Sequence, residues 1–331
     1  MNTPGIAKLL QERVFTLSLT LVILVGVCSL IWPDTFLTFS NLSTLLLNIS
    51  TDSVVVIGMM ILLISGTFDL SVGSVYALSG GLAAYLAYNY GMFTPVAILV
   101  GLGVAVLIGF INGLLITKVG INPLIQTLAT LGIVRGIFDL MGKVATLPEG
   151  FDALGTSRLM GIQTPFWVMI SLVIIFSILV SRHVFFRRYY YIGGNEKAAR
   201  LSGIPVNRLK VWGFMLSAFL AGVAGILFVS RMGAVPDTLG KGLELKIITA
   251  AILGGASLLG GQGKITGAFL GVIFIHLISN ILVFARVSGQ WTDIIFGIIL
   301  VLAISLDIFL KKNAEIRLTE SLRNIYQQPK P

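Results

Sequence analysis

Long apolar runs, separated by short polar breaks, fill almost the whole sequence. Several runs reach or approach the ~20 residues that a helix needs to cross ~30 Å of hydrocarbon. Short alternating segments, which are typical of a transmembrane barrel, do not occur. The pattern predicts an all-α fold, a polytopic transmembrane helical bundle of about ten segments, several of them broken or re-entrant. The predicted segments are roughly Val14–Ile31, Ser53–Ile64, Val72–Tyr88, Pro95–Thr117, Leu124–Leu140, Phe166–Val180, Val211–Val229, Leu243–Leu259, Ile265–Phe284 and Thr292–Leu310.

Composition agrees with a membrane protein. Of the 331 residues, 56% are hydrophobic and 11% are charged, and the mean hydropathy is +0.97. A soluble domain carries about 25% charged residues. We therefore predict one transmembrane domain over residues 14–310, between a cytoplasmic N-terminus at 1–13 and a cytoplasmic C-terminal tail at 311–331.

The first apolar run, Val14–Ile31, is expected to be an uncleaved membrane span. Its uncharged stretch is longer than the apolar part of a usual signal peptide, and the residues around Cys28 do not form a small-residue cleavage site. Cys28 is the only cysteine of the chain. An intrachain disulfide or a cysteine metal cluster is therefore impossible, and Cys28 is expected to be a small core residue.

Basic residues concentrate in one loop, at about 182–210, and after the last apolar run. Because such residues collect in the cytoplasmic loops of membrane proteins, we place this loop and both termini inside and Gly142–Pro165 outside. The same rule explains the net charge of +9 without a nucleic acid partner. Three basic residues fall near a predicted outside end and do not follow the rule that basic residues are cytoplasmic. They are Arg231, Lys241 and Lys246.

The basic loop contains a polar segment, YYIGGNEKAARLSGI, at Tyr190–Ile204. Its two glycines are expected to form a tight turn. Asn195 is then a good N-cap, and Glu196 places a carboxylate at the positive end of a helix. Gly203, followed by Pro205, should end that helix. A short exposed helix between two membrane spans predicts a binding partner.

Glycine and polar residues join the second predicted segment to the third, at Ser65–Ser74, and the eighth to the ninth, at Leu253–Lys264. Such backbone survives at membrane depth only where protein or a water-filled cavity surrounds it, and broken helices often flank a transport path. A tight helical hairpin without a ligand role remains the alternative for each.

Glycines spaced by four should let helices pack closely, within or between subunits. One such set is Gly263, Gly267 and Gly271, and another is Gly109 and Gly113.

Charged and amide residues in the spans are candidates for contact with a solute. We expect Asp52 and Asp293 to lie near membrane interfaces, and Arg135 to neutralise Asp139 one helical turn away. Asp69 and Glu244 remain as candidates, with structural hydrogen bonding as the alternative. The amides could bond a solute or, more commonly, a neighbouring helix; they are Asn48, Asn112, Asn122, Gln126 and Asn280.

The sequence contains no motif for an energy source or for catalysis. A phosphate-binding loop needs glycine, four residues and then Gly-Lys-Ser/Thr, and the nearest approach, at Gly263–Lys264, lacks the hydroxyl residue and the leading glycine. No arrangement of nucleophile, histidine and acid appears. We expect the chain not to be an enzyme and to bind no cofactor. Energy for active transport would have to come from an ion gradient or from another polypeptide.

The segment GGNEKAARLSGI closely resembles the cytoplasmic coupling segment of the ABC-importer permeases of the ribose/branched-chain class. Several other stretches resemble the same family in order and spacing, so that the resemblance covers about Asn41 to Asp307. These stretches are Phe68–Ser74, Thr127–Ile137, Ile252–Gly271 and Ile294–Asp307.

The resemblance implies a membrane-spanning permease subunit of a bacterial importer in the cytoplasmic (inner) membrane, for a monosaccharide or a related hydroxylated solute. A second permease subunit, identical or paralogous, would complete the path. A periplasmic or surface sugar-binding protein would deliver the solute. A cytoplasmic ATPase, which would hold ATP and Mg²⁺, would grip the coupling helix.

The resemblance assigns one set of residues, and the interrupted segments and the charges within the spans supply a second set. The ATPase-coupling set is Gly193, Gly194, Asn195, Glu196, Ala198, Ala199, Arg200 and Gly203. The pathway or hinge set is Gly66, Phe68, Asp69, Ser71, Gly73, Glu244, Gly254 and Gly255.

Two positions depart from the family pattern. Phe68 precedes Asp69 where isoleucine is common, and Tyr191 stands where alanine is common.

Two other functions remain as alternatives. A stand-alone secondary carrier or channel would need no ATPase and would leave the polar helix without a role. A membrane enzyme would need a cluster of His, Asp or Glu at one depth, and the sequence shows none.

Overall fold

The computed structural model describes residues 13–289 except 142, 143 and 145, together with 291, 294–305 and 308. The N-terminal segment at 1–12, Asp293, Asp307 and the C-terminal tail lie outside the described residues. The boundaries of the last predicted segment, Thr292–Leu310, also lie outside them.

The described part of the chain is almost entirely helical, which confirms the predicted all-α bundle. A short antiparallel hairpin joins β1, Arg158–Leu159, to β2, Ile162–Gln163. The helices are α1 (Arg13–Ile31), α2 (Phe39–Ile64), α3 (Val72–Asn89), α4 (Thr94–Leu114, continued by a π-helical turn at Leu115–Val119), α5 (Pro123–Leu140), α6 (Ala153–Thr156), α7 (Thr164–Arg182), α8 (Val184–Gly194), α9 (Glu196–Leu201), α10 (Val206–Met232), α11 (Leu243–Leu253), α12 (Ile265–Phe284) and α13 (Ile294–Ser305).

Seven helices of the described chain are long and apolar enough to cross a membrane: α1, α2, α4 with its π-helical turn, α5, α7, α10 and α12. Helix α11 has 11 residues, which at 1.5 Å per residue span about 16 Å, only half of the hydrocarbon core. It ends at Leu253 rather than at the predicted Leu259. The short helix and the glycine-rich chain after it agree with a re-entrant element.

Helix α2 corrects the predicted second segment. The helix begins at Phe39, capped by the Thr38 side chain, and not at Ser53. The polar residues between Ser40 and Ser53 dilute the hydropathy of this stretch, so the apolar pattern alone starts too late. Asp52 consequently lies halfway along a membrane helix and not near an interface. The most apolar window of α2 is 94% buried, which makes α2 the centre of the bundle.

The glycines spaced by four pack helices within the subunit. A Cβ at Gly109 would meet the Phe214 carbonyl of α10, and a Cβ at Gly113 would lie 2.7 Å from Val211 Cα. Gly267 packs directly on Gly254 at the end of α11. Gly263 differs from the prediction: its φ of +151° places it before α12, outside the helical face.

Candidate functional site

The polar segment folds as two helices that change direction at Asn195. Helix α8 continues through Gly193 and Gly194, so these glycines do not form the predicted tight turn. Asn195 is extended, with φ −159° and ψ 99°, and its side-chain oxygen accepts a hydrogen bond from the Ala198 N–H at 3.0 Å. The predicted N-cap is therefore present, and it begins α9, which we call the polar helix.

The polar helix ends as its sequence predicts. Gly203 has a φ of +78°, a left-handed conformation that glycine adopts without strain. Its N–H donates to the Arg200 carbonyl at 3.0 Å, and the Ile204 N–H donates to the Ala199 carbonyl at 3.1 Å. These bonds satisfy carbonyls that the end of the helix would otherwise leave unpaired.

Charged side chains attach the polar helix to the start of α10. Glu196 accepts hydrogen bonds from Arg200 at 2.7 Å and from Lys210 at 2.6 Å. Arg200 also donates to the Asn207 side chain at 2.7 Å. Partial burial alone would raise the pKa of Glu196, but the bonds and charges of Lys210 and Arg200 outweigh burial and hold that pKa below its usual value.

The two alanines of the coupling set differ in burial, although they are adjacent in the polar helix. Ala199 is buried, with 4% of its surface exposed, and belongs to the core of the bundle. Ala198 and Lys197 are exposed. Leu201 is 90% exposed and is absent from the predicted coupling set. A large apolar side chain in a polar loop is the signal that could have identified Leu201.

Three glycines from three separate segments meet beneath the polar helix; we call Gly66, Gly193 and Gly260 the glycine junction. A Cβ at Gly260 would lie 2.8 Å from Gly193 Cα and 2.9 Å from Gly66 Cα. A Cβ at Gly193 would overlap the Ile64 carbonyl and the Gly261 N–H, which are themselves joined by a hydrogen bond of 2.8 Å. The junction connects α8, the end of α2 and the loop between α11 and α12.

A side-chain hydrogen bond also joins α8 to the loop between α11 and α12. The Tyr190 hydroxyl donates to the Gly263 carbonyl at 2.7 Å. Two of the junction glycines were predicted in separate sets, Gly66 in the pathway set and Gly193 in the coupling set. The structure brings them together, and Gly260 was not in either set.

Asp69 and Ser71 belong to a buried network. The Asp69 carboxylate accepts from the Ser71 N–H at 2.8 Å and from the Ser71 hydroxyl at 2.5 Å. Asn112 on α4 donates to the Ser71 hydroxyl at 3.1 Å. Its oxygen accepts from Thr130 at 2.6 Å and from Gln126 at 3.2 Å on α5. The network holds the loop before α3 against α4 and α5.

The other pathway residues fall into three places. A Cβ at Gly73 would overlap the Glu244 carboxylate and the Gly240 carbonyl, so Gly73 and Glu244 are in contact. Gly254 caps α11, and Gly255 follows it with a φ of +98°. Phe68 is partly buried and packs against the core.

Residues 41–304 match the family described as "Branched-chain amino acid transport system / permease component". The chain belongs to this family. The permease is similar over most of its length to several curated relatives, and no solved structure matches it. Membership favours the importer permease over the carrier and the membrane enzyme.

Three relatives illustrate the similarity. The permease is 36% identical over 302 residues to the autoinducer 2 import system permease protein LsrC of Enterobacter sp. (strain 638), covering 90% of this chain and 88% of the relative. It is 37% identical over 288 residues to the L-arabinose transport system permease protein AraH of Escherichia coli (strain K12), covering 86% and 87%. It is 37% identical over 294 residues to the ribose import permease protein RbsC of Bacillus subtilis (strain 168), covering 87% and 91%.

The permease contains a charged cluster that the sequence did not predict; we call Asp52, Lys246 and His276 the charged cluster. Asp52 Oδ2 lies 3.0 Å from Lys246 Nζ and 2.9 Å from His276 Nε2. The two nitrogen atoms are 3.4 Å apart. The expected absence of a His and Asp cluster at one depth was therefore wrong, because residues of α2, α11 and α12 meet only in the folded bundle. Among the described residues, no group of three or more His, Cys, Asp or Glu could hold a metal ion.

The remaining polar candidates bond within the permease, as the more common alternative predicts. Asn280 donates to Asn41 at 2.8 Å, and Asn48 accepts from Arg231 at 2.9 Å. Asn122 caps α5. Arg135 and Asp139 form an ion pair, with Arg135 Nε 3.1 Å from Asp139 Oδ1.

Proposed function

We propose that this permease is the membrane-spanning subunit of an ATP-driven importer in the bacterial cytoplasmic membrane. A separate ATPase holds ATP and Mg²⁺ and docks on the polar helix. A second permease subunit completes the path, a binding protein delivers the solute, and lipid surrounds the bundle. Both termini and the polar helix lie on the cytoplasmic side, as the basic residues of the loop at 182–210 predict.

The glycine junction is the observation that carries this proposal. The polar helix exposes Lys197, Ala198 and Leu201 and is fixed by Glu196 to α10. A short distance away, α8 contacts α2 and the α11–α12 loop through glycine backbones. A partner that moves the polar helix therefore moves these membrane elements with it, because backbone in direct contact has no soft side chain to absorb the displacement.

The solute is a monosaccharide or a related small hydroxylated molecule. Two of the three relatives described above are named for the import of ribose and L-arabinose, which are pentoses. We place the hinge of transport at Gly254 and Gly255, where the backbone turns between α11 and the following loop. The buried network of Asp69 and Ser71 keeps the neighbouring loop rigid while the hinge moves.

Co-purification from native membranes tests the proposal. The permease, extracted in mild detergent, should carry an ATPase chain and ATP hydrolysis activity. L201E and A198R should each abolish the association, since a charge replaces a small or apolar contact on the exposed face. The control is M160Q: Met160 is 85% exposed in the hairpin at the other end of α7, about 28 Å from the cytoplasmic end of that helix, and its replacement should leave the association intact.

The outcomes separate the candidate functions. Association that survives L201E and A198R would contradict docking on the polar helix. A permease that carries no ATPase yet still takes up solute would favour the secondary carrier.

A further inference from the structure

A polar cleft opens at the end of α2 that lies opposite the glycine junction. Its volume is about 490 Å³, within the range of 300–1,000 Å³ that is typical of small-molecule sites. Nine of its twelve lining side chains are polar. The lining residues are Thr35, Thr38, Ser40, Asn41, Thr44, Leu45, Asn48, His276, Ser279, Asn280, Val283 and Phe284.

The polar cleft reaches the middle of the membrane. It extends along α2 from Thr38 to Asn48 and along α12 from Phe284 to His276. Asp52, which contacts His276, lies fourteen residues after Thr38, so the base of the cleft is about 20 Å from the end of the helix. Hydroxyl and amide groups are costly to expose to lipid at such depth. The Ser279 hydroxyl donates to the Ile275 carbonyl of its own helix at 3.0 Å and is satisfied there. Asn48 is partly exposed in the cleft, and its amide at this depth favours contact with water or a solute over contact with acyl chains.

The chemistry of the lining selects a neutral hydroxylated molecule. Apart from His276, every polar lining group is an uncharged hydroxyl or amide. Asn41 and Asn280 pair with each other, and because an amide oxygen has two lone pairs, each can accept a further bond from a hydroxyl group. Phe284, which stacks on Trp32 with ring centroids 5.7 Å apart, offers an apolar face for the C–H groups of a sugar ring.

The charged cluster forms the base of this cleft. His276 lines the cleft. Its ring nitrogen Nε2 contacts the Asp52 carboxylate and the Lys246 ammonium group. Asp52 and Lys246 form an ion pair, so their charges cancel. Arg231 donates to Asn48 on the wall. The cleft is bounded by α2, the α1–α2 loop and α12.

We propose that the polar cleft is a water-filled solute site of the permease, for a neutral monosaccharide or polyol, with the charged cluster as its base. This inference rests on the proposed function and adds the place where the permease itself contacts the solute. Lys246 lies on α11, and Gly260 of the glycine junction follows fourteen residues later in the loop after that helix. Helix α11 therefore connects the base of the site with the contact to α8, which leads into the polar helix, and the two move together.

Thiol labelling tests whether water fills the cleft. Because Cys28 is the only cysteine of this chain, the C28A variant gives a permease subunit without thiols, and labelling is measured on that subunit. S279C places a thiol on the wall, and V22C places one in the middle of α1 on a 69% exposed position that faces lipid. A membrane-impermeant methanethiosulfonate reagent, added to the complete importer in proteoliposomes, should label S279C from the face opposite the polar helix. It should leave V22C unlabelled.

Protection by defined probes tests the solute. D-Ribose, L-arabinose and glycerol are the neutral probes, and D-galacturonate is the charged comparison. At least one neutral probe should slow the labelling of S279C, and D-galacturonate should not. The double variant D52N/K246M removes both charges of the ion pair together. It should weaken protection about tenfold, which corresponds to the loss of one charge-assisted hydrogen bond, while labelling without sugar stays unchanged.

Several outcomes would overturn this inference. The first two are the absence of S279C labelling and protection by none of the neutral probes. The next two are protection by D-galacturonate alone and unchanged protection in D52N/K246M. The last is a disulfide between two S279C chains, which would make the cleft an interface between copies. Co-purification of the ATPase, measured on the same sample, stands apart from all of these. If the permease binds its ATPase but S279C is not labelled, only the proposed solute site is refuted, and the proposed function stands.

Discussion

Glu196 accepts a hydrogen bond of 2.6 Å from Lys210, and this bond joins the first turn of the polar helix to the first turns of α10. Lys210 is largely buried, whereas Glu196 is more exposed. A residue of the exposed polar helix is thus tied to a long, largely buried helix of the bundle. The pair links the proposed docking surface directly to the membrane domain.

We expect this bond to be lost in acid. The pKa of Glu196 in the folded chain lies below its usual value, so the carboxylate stabilises the polar helix above the ordinary glutamate pKa of about 4.3 and loses this effect as the pH falls through the lower folded pKa. At neutral pH, E196Q should open the helix at most about fivefold more often, since exposed ion pairs contribute little. Hydrogen exchange of a peptide that covers residues 196–201 measures the opening. Equal exchange in E196Q and the native chain at neutral pH, together with no change in acid, would contradict the role of the pair.

Gly193 and Gly194 should respond differently to the same substitution. A methyl group at Gly193 would overlap the Ile64 carbonyl and the Gly261 N–H, whereas a methyl group at Gly194 would meet nothing within 4 Å. G193A should therefore destabilise the permease by about 1–3 kcal/mol, as overpacking does, and should uncouple ATP hydrolysis from transport. G194A should remain close to the native chain. Unfolding in a denaturing detergent titration gives the stability, and equal results for the two variants would refute the glycine junction.

The two adjacent alanines separate docking from folding. A199R places a charge where Ala199 is buried in the core, so the variant should unfold at a lower temperature because that charge has no partner. A198R changes an exposed position and should keep the native unfolding temperature while it loses the ATPase. Thermal unfolding and co-purification, measured on both variants, check this. If A198R unfolds as early as A199R, the assignment of one alanine as exposed and the other as buried is wrong.

Asn112 is the centre of the buried network. N112A removes three hydrogen bonds of the network at once. Ser71 keeps its bond to Asp69, and Gln126 keeps its bond to Thr130, but these buried groups are then satisfied only in part, which is costly. We expect a loss of about 1–3 kcal/mol in the free energy of unfolding, measured by detergent titration. The matched control is N89A, because Asn89 is exposed and bonds only to the Tyr85 carbonyl of its own helix. An N112A variant as stable as N89A would show that the network contributes nothing.

The sequence determined the class of fold and the location of the polar helix, because both depend on local properties. Apolar runs long enough to cross a membrane predict helices wherever they occur. Asn195 and Gly203 set the limits of the polar helix through hydrogen bonds to residues within four positions along the chain. The number of membrane segments and the sides of the termini stay predictions from apolar runs and basic residues.

Tertiary structure decided how the distant parts meet. Asp52 and His276 are 224 positions apart in the sequence, and local pattern placed Asp52 at an interface because its polar neighbours hid the first half of α2. Gly66, Gly193 and Gly260 come from three segments, and only packing could show that they touch. Ala198 and Ala199 have the same side chain and adjacent positions, yet one is exposed and the other buried. Local sequence sets hydrogen bonds within a helix, whereas these contacts depend on which faces the whole bundle brings together.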